Sequence, residues 1–234
     1  MSYFHFKNFS VFQSKVSMKV GTDSMLLGSF IDSTDKTASL DVGAGSGVLS
    51  LMVAQQNSAI RIDAVEIDEL SVQECRQNFK ASKWSDRLDV YNVDFLDFTM
   101  DRKYDLLFSN PPFYRTWLLS NDKRKAVAKH ENSLPNNLFF QKASNLLTPK
   151  GAIWIIVPFE GLNSWVASAR EYNLFVSRET NISGKKTHAP NRVILEFKRG
   201  EHNLISDNFS IRDENGSYTD EYIKRTKEFH GKEL

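Results

Sequence analysis

Short apolar segments alternate along this chain with segments of helical periodicity, and this alternation restricts the possible fold more than any other feature. Each apolar segment has the length of a buried strand. Strands that alternate with helices form βαβ units, which assemble into a mainly parallel sheet with helices on both faces. The predicted strands are 38–42, 60–67, 88–93, 104–109, 152–158, 174–182 and 192–198, and the predicted helices are 48–53, 69–81, 136–147, 162–172 and 218–229.

Composition limits the classes of function. Hydrophobic residues make up 41% of the 234 residues and charged residues 25%, which allows one core large enough for such a sheet. The single cysteine, Cys75, excludes a disulfide framework and a cysteine-rich metal site. The first residues lack the apolar core of a signal peptide, and no apolar run approaches the ~20 residues that span a membrane. We therefore expect a cytoplasmic protein that binds neither membrane nor metal.

A rigid turn is predicted where the fourth strand ends, at Asn110-Pro111-Pro112-Phe113. Two prolines fix two φ angles, and the residue before a proline is held extended. The Asn110 side chain and the Pro111 backbone then offer two carbonyl acceptors beside the ring of Phe113. These groups suit a planar ring that carries an NH2 group, so we assign all four residues as candidate catalytic residues. The alternative is a strand that ends in proline and is followed by a core phenylalanine.

A glycine-rich turn follows the first predicted strand. Gly43, Gly45 and Gly47 permit a tight turn and the close approach of a ligand to the backbone. The spacing departs from the dinucleotide fingerprint, because Val48 occupies the place of its last glycine or alanine. Asp41 directly before the turn would repel a pyrophosphate, but it suits a cationic group such as an amine. A plain turn is the alternative interpretation of the glycines.

Acidic residues end the second and third predicted strands. Glu66 can accept hydrogen bonds from both hydroxyls of a ribose, and Asp94 can accept one from an adenine amino group. Each could instead be a helix cap or a turn residue, although Asp68 fits the capping role better than Glu66 does. The neighbouring Ile67 and Phe95 are included in the predicted cofactor site, as is Asn110.

This ordered series of strand-end groups resembles the class I S-adenosylmethionine-dependent methyltransferases over residues 37–198. The resemblance implies a Rossmann-like, mainly parallel seven-stranded sheet with helices on both faces and an antiparallel last strand. It also implies S-adenosyl-L-methionine as the cofactor, with its methionine part on the glycine turn, its ribose on Glu66 and its adenine on Asp94. The Asn-Pro-Pro-Phe motif, in this position, resembles the motif of the methyltransferases that act on adenine N6, guanine N2 or glutamine N5.

Segments outside that region resemble one narrower family, the bacterial tRNA(Val) adenine-N6 methyltransferases, which modify the adenine at position 37, next to the anticodon. The matching segments are 4–13, 18–28, 129–131 and 218–229. The resemblance implies that Thr22 and Asp23 lie near the cofactor, with a helix cap as the alternative. The sequence departs from the family at Lys129, where arginine is expected, and in the loop 185–191. We expect the chain to consist of a cofactor-covering N-terminal segment (1–36), a methyltransferase domain (37–200) and a C-terminal extension (201–234), which form one domain overall. The polar segment 201–217 is expected to be a loop.

Basic residues are concentrated in two segments, although the net charge of the chain is only +1. They outnumber acidic residues five to two in 115–131 and six to two in 178–199. Such segments are often solvated surface, but here they would flank the candidate site. We expect tRNA(Val) as the partner of a monomeric protein. The candidate RNA-binding residues are Lys123, Arg124, Lys125, Lys129, His130, Lys185, Lys186 and Arg192.

Other functions remain open on the sequence. A guanine-N2 methyltransferase of ribosomal RNA has similar motifs but usually carries a further domain. A glutamine-N5 methyltransferase of release factors favours tyrosine where Phe113 stands. A dinucleotide-dependent oxidoreductase is disfavoured by Asp41 and Val48. A non-catalytic RNA-binding module would have no use for Asp41, Glu66, Asp94 and Asn110 together.

Overall fold

The structure is a computed structural model that describes residues 2–16, 18–111 and 134–231. The strands are β1 (Tyr3–His5), β2 (Ser10–Phe12), β3 (Ala38–Val42), β4 (Arg61–Glu66), β5 (Leu88–Asn92), β6 (Tyr104–Ser109), β7 (Leu147–Pro158), β8 (Leu174–Lys185), β9 (Arg192–Arg199) and β10 (Ile205–Arg212). The α-helices within these residues are α1 (Thr22–Phe30), α2 (Val48–Gln56), α3 (Glu69–Ala81), α4 (Asn136–Leu146), α5 (Leu162–Arg170) and α6 (Asp220–Thr226).

One mixed sheet organises the molecule. Its strand order is β10-β8-β9-β7-β6-β3-β4-β5, and β9 runs antiparallel to its two neighbours while the other pairs are parallel. The predicted fold class is therefore confirmed. The carboxyl ends of the parallel strands meet at one edge of the sheet, which we call the carboxyl edge. Ligands of such sheets bind at this edge.

The sheet has eight strands rather than the predicted seven, because β10 arises from the segment that was expected to be a loop. β10 pairs in parallel with β8 at the border of the sheet. Its first four residues are exposed, and Phe209 is the residue it buries. An edge strand of this kind lacks the apolar run that predicts a buried strand, so its sequence looks like that of a polar loop.

Most predicted elements agree with the structure, and the differences are local. Helix α3 and strand β6 have the predicted bounds. The residues 148–151, expected to end a helix, belong to β7, which begins directly after α4. The C-terminal helix α6 is shorter than predicted, and the N-terminal hairpin β1–β2 was not predicted.

Helices cover both faces of the sheet. Buried residues of α1, α2, α3 and α6 form one apolar cluster with side chains such as Phe108 and Trp154. Residues of α4 and α5 form a second cluster on the opposite face, where Leu107 and Ile155 are buried. This alternation within β6 and β7 gives each face its own core and fixes the strand ends at the carboxyl edge.

Two kinds of feature are absent from the described part of the chain. No helix there is long and apolar enough to cross a membrane. Nor do the described residues include a group of three or more His, Cys, Asp or Glu side chains placed to hold a metal ion. The division of the chain at residues 36 and 200 stays a prediction.

Candidate active site

The glycine turn between β3 and α2 leaves open space at the carboxyl edge. Gly43 and Gly45 have φ angles of 71° and 54°, in the left-handed region that favours glycine. A Cβ atom built at either residue would meet nothing within 4 Å. At Gly47 a Cβ atom would instead lie 2.8 Å from the Cys75 sulfur and 2.5 Å from the Phe79 ring, so this glycine lets α3 pack against the turn. The turn thus presents bare backbone outward and is supported from behind.

Asp41 lies at the base of this turn and is fully buried. Its Oδ2 accepts hydrogen bonds from Ser50 in α2, at 2.7 Å from Oγ and 3.2 Å from the backbone N–H. Its Oδ1 has no hydrogen-bond partner. Burial raises the pKa of the Asp41 carboxyl from 3.8 to about 7, despite the opposing hydrogen bonds from Ser50. A cationic donor at Oδ1 would form a hydrogen bond to the unpaired oxygen and balance the negative charge of the ionised carboxylate.

Glu66 at the end of β4 connects two turns of the carboxyl edge. Its Oε2 accepts a hydrogen bond from the Gly45 N–H and its Oε1 accepts one from the Asp68 N–H, each at 2.9 Å. Each carboxylate oxygen keeps a second lone pair for a further donor. Asp68 caps α3 by accepting from the Ser71 N–H at 2.8 Å, as predicted. Ile67 between the two acids is 67% exposed and offers an apolar surface beside them.

Asp94 and Phe95 lie just beyond the end of β5. The Asp94 carboxylate accepts a hydrogen bond from the Leu96 N–H at 2.8 Å, which is the turn role considered from the sequence. The Phe95 side chain is buried and its ring centroid lies 5.6 Å from that of Phe139. Phe95 therefore contributes its side chain to the core, and its predicted cofactor contact would have to use its backbone.

Asn110 follows β6 at the same edge and contacts the N-terminal part of the chain. Its Nδ2 donates to Ser24 Oγ at 3.3 Å and lies 3.8 Å from the Met18 sulfur. Its Oδ1 is buried and has no hydrogen-bond partner. Pro111 is buried as well. Pro112 and Phe113 lie outside the described residues.

Helix α1 begins beside this group and is tied to β9. Gly21 occupies the N-cap position without a side-chain hydrogen bond, so neither Thr22 nor Asp23 is the cap. Thr22 is exposed. Asp23 forms an ion pair with Arg192, with 2.9 Å between Oδ2 and Nε. A candidate cofactor residue and a candidate RNA-binding residue are thus partners of each other.

A network that the sequence analysis did not find fastens residues 12–20 over the glycine turn. Buried Glu74 in α3 accepts hydrogen bonds from the N–H groups of residues 14, 15 and 16 at 2.9, 2.7 and 3.0 Å. Asn78, one helical turn on, donates to the Phe12 and Ser46 carbonyls at 2.9 Å and accepts from the Phe12 N–H at 2.8 Å. Gln13 accepts from the Val20 N–H at 2.7 Å. The bonds of Glu74 and Asn78 to residues 12–16 join parts of the chain about sixty residues apart, so no local sequence pattern predicts them.

Basic residues also lie at the carboxyl edge, where β8 and β10 end. Lys185 ends β8, and Lys186 donates its backbone N–H to the Arg212 carbonyl at 2.9 Å. Arg212, which the sequence analysis did not select, ends β10 and lies 4.1 Å from the centre of the Tyr218 ring. Strand β8 is three strands from β6, so at ~4.8 Å per strand the two strands are about 14 Å apart, and β10 lies one strand further away. The other candidate RNA-binding residues, Lys123, Arg124, Lys125, Lys129 and His130, lie outside the described residues.

The chain is similar in sequence to known methyltransferases. The model of the methyltransferase small domain matches residues 6–161. A tRNA1(Val) (adenine(37)-N6)-methyltransferase of Phocaeicola vulgatus is 38% identical over 228 residues, which are 97% of each chain. A protein of the same name from Flavobacterium psychrophilum is 38% identical over 97% of this chain and 98% of its own. The chain belongs to this family of methyltransferases. The family extends to a Pectobacterium carotovorum relative of the same name at 33% identity, over 97% of this chain and 93% of the relative.

Solved structures agree with the methyltransferase fold. A predicted O-methyltransferase from Agrobacterium tumefaciens superposes with a TM-score of 0.70 at 15% identity and covers 90% of this chain and 98% of its own. A ribosomal protein L11 methylase from Lactobacillus delbrueckii gives a TM-score of 0.55 at 15% identity, over 76% of this chain and 77% of its own. At these identities the likeness concerns the fold of the methyltransferase and not its substrate.

Proposed function

We propose that this methyltransferase uses S-adenosyl-L-methionine to methylate the exocyclic N6 amine of adenine 37 in tRNA(Val). The observation that carries the proposal is the pair of unsatisfied buried oxygens at one edge of the sheet, Asp41 Oδ1 and Asn110 Oδ1. A buried acceptor without a partner costs about 1–3 kcal/mol, so both oxygens are expected to receive donors from bound molecules. The names of the relatives supply the RNA and the base.

The residues at the carboxyl edge fit the cofactor. Open space in front of Gly43 and Gly45 accommodates a ligand against bare backbone. Asp41 Oδ1 would accept from the ammonium group of the methionine part, and the free lone pairs of Glu66 would accept from the ribose hydroxyls. Exposed Ile67 supplies an apolar surface for the adenine ring. Bound there, the cofactor would supply an electrophilic methyl group.

Asn110 and Pro111 would hold the target amine. An exocyclic adenine nitrogen is a weak nucleophile, because its lone pair is delocalised into the ring. Acceptance of its two hydrogens by the Asn110 side chain and the Pro111 carbonyl favours pyramidal nitrogen and stabilises the positive charge that develops there. Positioning of the amine supplies much of the remaining acceleration. The proton leaves after transfer, so no strong base is required, and Phe113 remains the stacking partner expected from the sequence.

An RNA loop suits this geometry. The target base must leave its stack to reach the edge of the sheet, and bases in a loop are already exposed. Lys185, Lys186 and Arg212 would contact phosphates about 14 Å or more from the reacting amine. Arg192 forms an ion pair with Asp23 and would contact a phosphate from the start of β9.

A panel of methyl acceptors tests the proposal. The protein is incubated with labelled S-adenosylmethionine and, separately, with unmodified tRNA(Val), the same transcript with guanine at position 37, ribosomal RNA, and a release-factor protein with its target glutamine. We expect label in the first substrate alone. Equal labelling of the guanine-37 transcript would remove adenine 37 as the target, and labelling of ribosomal RNA or protein alone would assign the methyltransferase to another substrate class.

A further inference from the structure

We propose that Ser24 is a positioning residue that anchors the Nδ2 end of the Asn110 amide, so that the carbonyl oxygen is held toward the target amine; this inference rests on the proposed function. Ser24 lies in the first turn of α1 and is only 7% exposed. It is a polar side chain next to the buried apolar residues Met25, Leu26 and Leu27. A buried hydroxyl is costly unless it forms a hydrogen bond. Its partner is the Nδ2 group of Asn110, at 3.3 Å.

The Asn110 amide has two orientations that differ by a half-turn about its last bond, and only one serves transfer. The target amine presents hydrogens, so the facing group must be the carbonyl oxygen. With the amide reversed, two N–H donors would oppose each other and the amine would lose its acceptor. A side chain that anchors the productive orientation therefore controls the rate without touching the substrate.

Two neighbours of Asn110 favour the productive orientation. Ser24 Oγ lies on the Nδ2 side, and so does the Met18 sulfur at 3.8 Å. A thioether has no hydrogen to donate, so it does not satisfy a carbonyl oxygen. The carbonyl oxygen Oδ1 is buried and receives no donor from the described residues, so in the observed orientation it is left to accept from the target amine. A serine hydroxyl can donate as well as accept, so the Met18 sulfur selects the orientation, and the Ser24 hydroxyl, the stronger acceptor of the two, anchors it.

The position of Ser24 is itself secured by the segment around it. Asp23 is paired with Arg192 across to β9, and the Val20 N–H is bound by Gln13. The start of α1, where Ser24 lies, is thus tied to β9 and to the preceding segment before any substrate binds. The N-terminal segment, which the sequence resemblance assigned to covering the cofactor, acquires a second role in orienting the group that holds the target.

The test compares a matched pair of variants. Ser24→Thr keeps the hydroxyl, and Ser24→Val has the same shape without it. Ser24→Ala removes the hydroxyl without adding volume, and Ser29→Ala removes another α1 hydroxyl, which donates within its own helix to the Leu26 carbonyl at 2.8 Å. For each variant we would measure the single-turnover rate of methyl transfer to saturating tRNA(Val), the Kd for S-adenosylmethionine and the melting temperature.

We expect Ser24→Ala and Ser24→Val to transfer about three- to tenfold more slowly than their hydroxyl-bearing counterparts, the value of one neutral hydrogen bond. The Kd for the cofactor should stay within about twofold, and Ser29→Ala should match the wild type. Equal rates for Ser24→Thr and Ser24→Val, a wild-type rate for Ser24→Ala, or a loss of cofactor affinity in proportion to the rate would overturn the positioning role. Absence of transfer by the wild-type protein would instead overturn the proposed function, and this inference with it.

Discussion

The Glu66 carboxylate accepts a hydrogen bond of 2.9 Å from the Gly45 backbone, so the acid at the end of β4 holds the turn at the end of β3. The same carboxylate accepts from the Asp68 N–H before α3. One side chain thereby joins the glycine turn to the cap of the next helix. A change at Glu66 should affect both the shape of the turn and any ligand that rests on it.

Glu66→Ala should weaken the binding of S-adenosylmethionine by about tenfold or more, because the ribose acceptors and the support of Gly45 are lost together. Glu66→Gln keeps one carbonyl acceptor and should give an intermediate Kd. Isothermal titration calorimetry measures both values. Glu69→Ala, at an exposed neighbour in the first turn of α3, is the control. An unchanged Kd in Glu66→Ala would place the ribose elsewhere.

Cofactor affinity should rise with pH as Asp41 ionises. The Asp41 pKa is raised to about 7 by burial, and an α-amino group titrates at about 8, so over pH 5.5 to 7 the acid gains its charge while the amine keeps its own. The Kd for S-adenosylmethionine should fall about tenfold across this range. Asp41→Asn should bind weakly with little dependence on pH. A wild-type Kd that does not change with pH would contradict the pairing of Asp41 with the ammonium group.

Ionisation of Asp41 should have the opposite effect on the stability of the unliganded protein, which should fall as the pH rises. Between the unperturbed pKa of 3.8 and the folded pKa of about 7, the folded protein keeps the Asp41 proton that the unfolded chain has lost. The free energy of unfolding therefore falls as the pH rises through this window. Urea denaturation at several pH values, with the curve of Asp41→Asn subtracted from that of the wild type, isolates this contribution. A difference that grows with pH would show that burial does not govern the Asp41 carboxyl.

Glu74→Ala should release the segment that covers the glycine turn. The three N–H groups that donate to Glu74 would lose a buried charged partner. A hydrogen bond to a charged group contributes about 1.5–3 kcal/mol. We expect a lower melting temperature and faster tryptic cleavage after Lys15. Gln73→Ala, at the exposed position next to it, should leave both unchanged. Wild-type resistance to trypsin in Glu74→Ala would mean that other contacts hold the segment.

Lys185→Glu combined with Lys186→Glu should weaken the binding of tRNA and flatten its dependence on salt. Each lost phosphate contact lowers the slope of log affinity against log salt by about 0.7–0.9. The matched control is Lys103→Glu with Lys150→Glu, which makes the same change in charge at the opposite edge of the sheet. Equal slopes for the two double variants would assign the RNA to another surface.

The strand-end groups of the site follow from sequence because their geometry follows from topology. Asp41, Glu66 and Asn110 lie at or next to the ends of parallel neighbouring strands, and such ends meet at one edge whatever the loops do. Helix α3 was predicted to the residue, because Asp68 caps it and its apolar residues recur with helical spacing.

The remaining features depend on contacts between distant residues. Strand β10 is polar and becomes a strand only by pairing with β8. Ser24 reaches Asn110, and Glu74 reaches residue 15, across long stretches of chain. Hydrophobic period and local propensity carry no information on such pairs, so the orienting and covering parts of the site emerge only from the three-dimensional structure.

The most direct test of the central claim is nucleoside analysis of unmodified tRNA(Val) after incubation with labelled S-adenosylmethionine and either the wild-type protein or Asn110→Ala. We predict labelled N6-methyladenosine at position 37 with the wild type and at least about a hundredfold less with Asn110→Ala, at similar cofactor affinity. Labelled methylguanosine, label at another position, or undiminished transfer by Asn110→Ala would contradict the account.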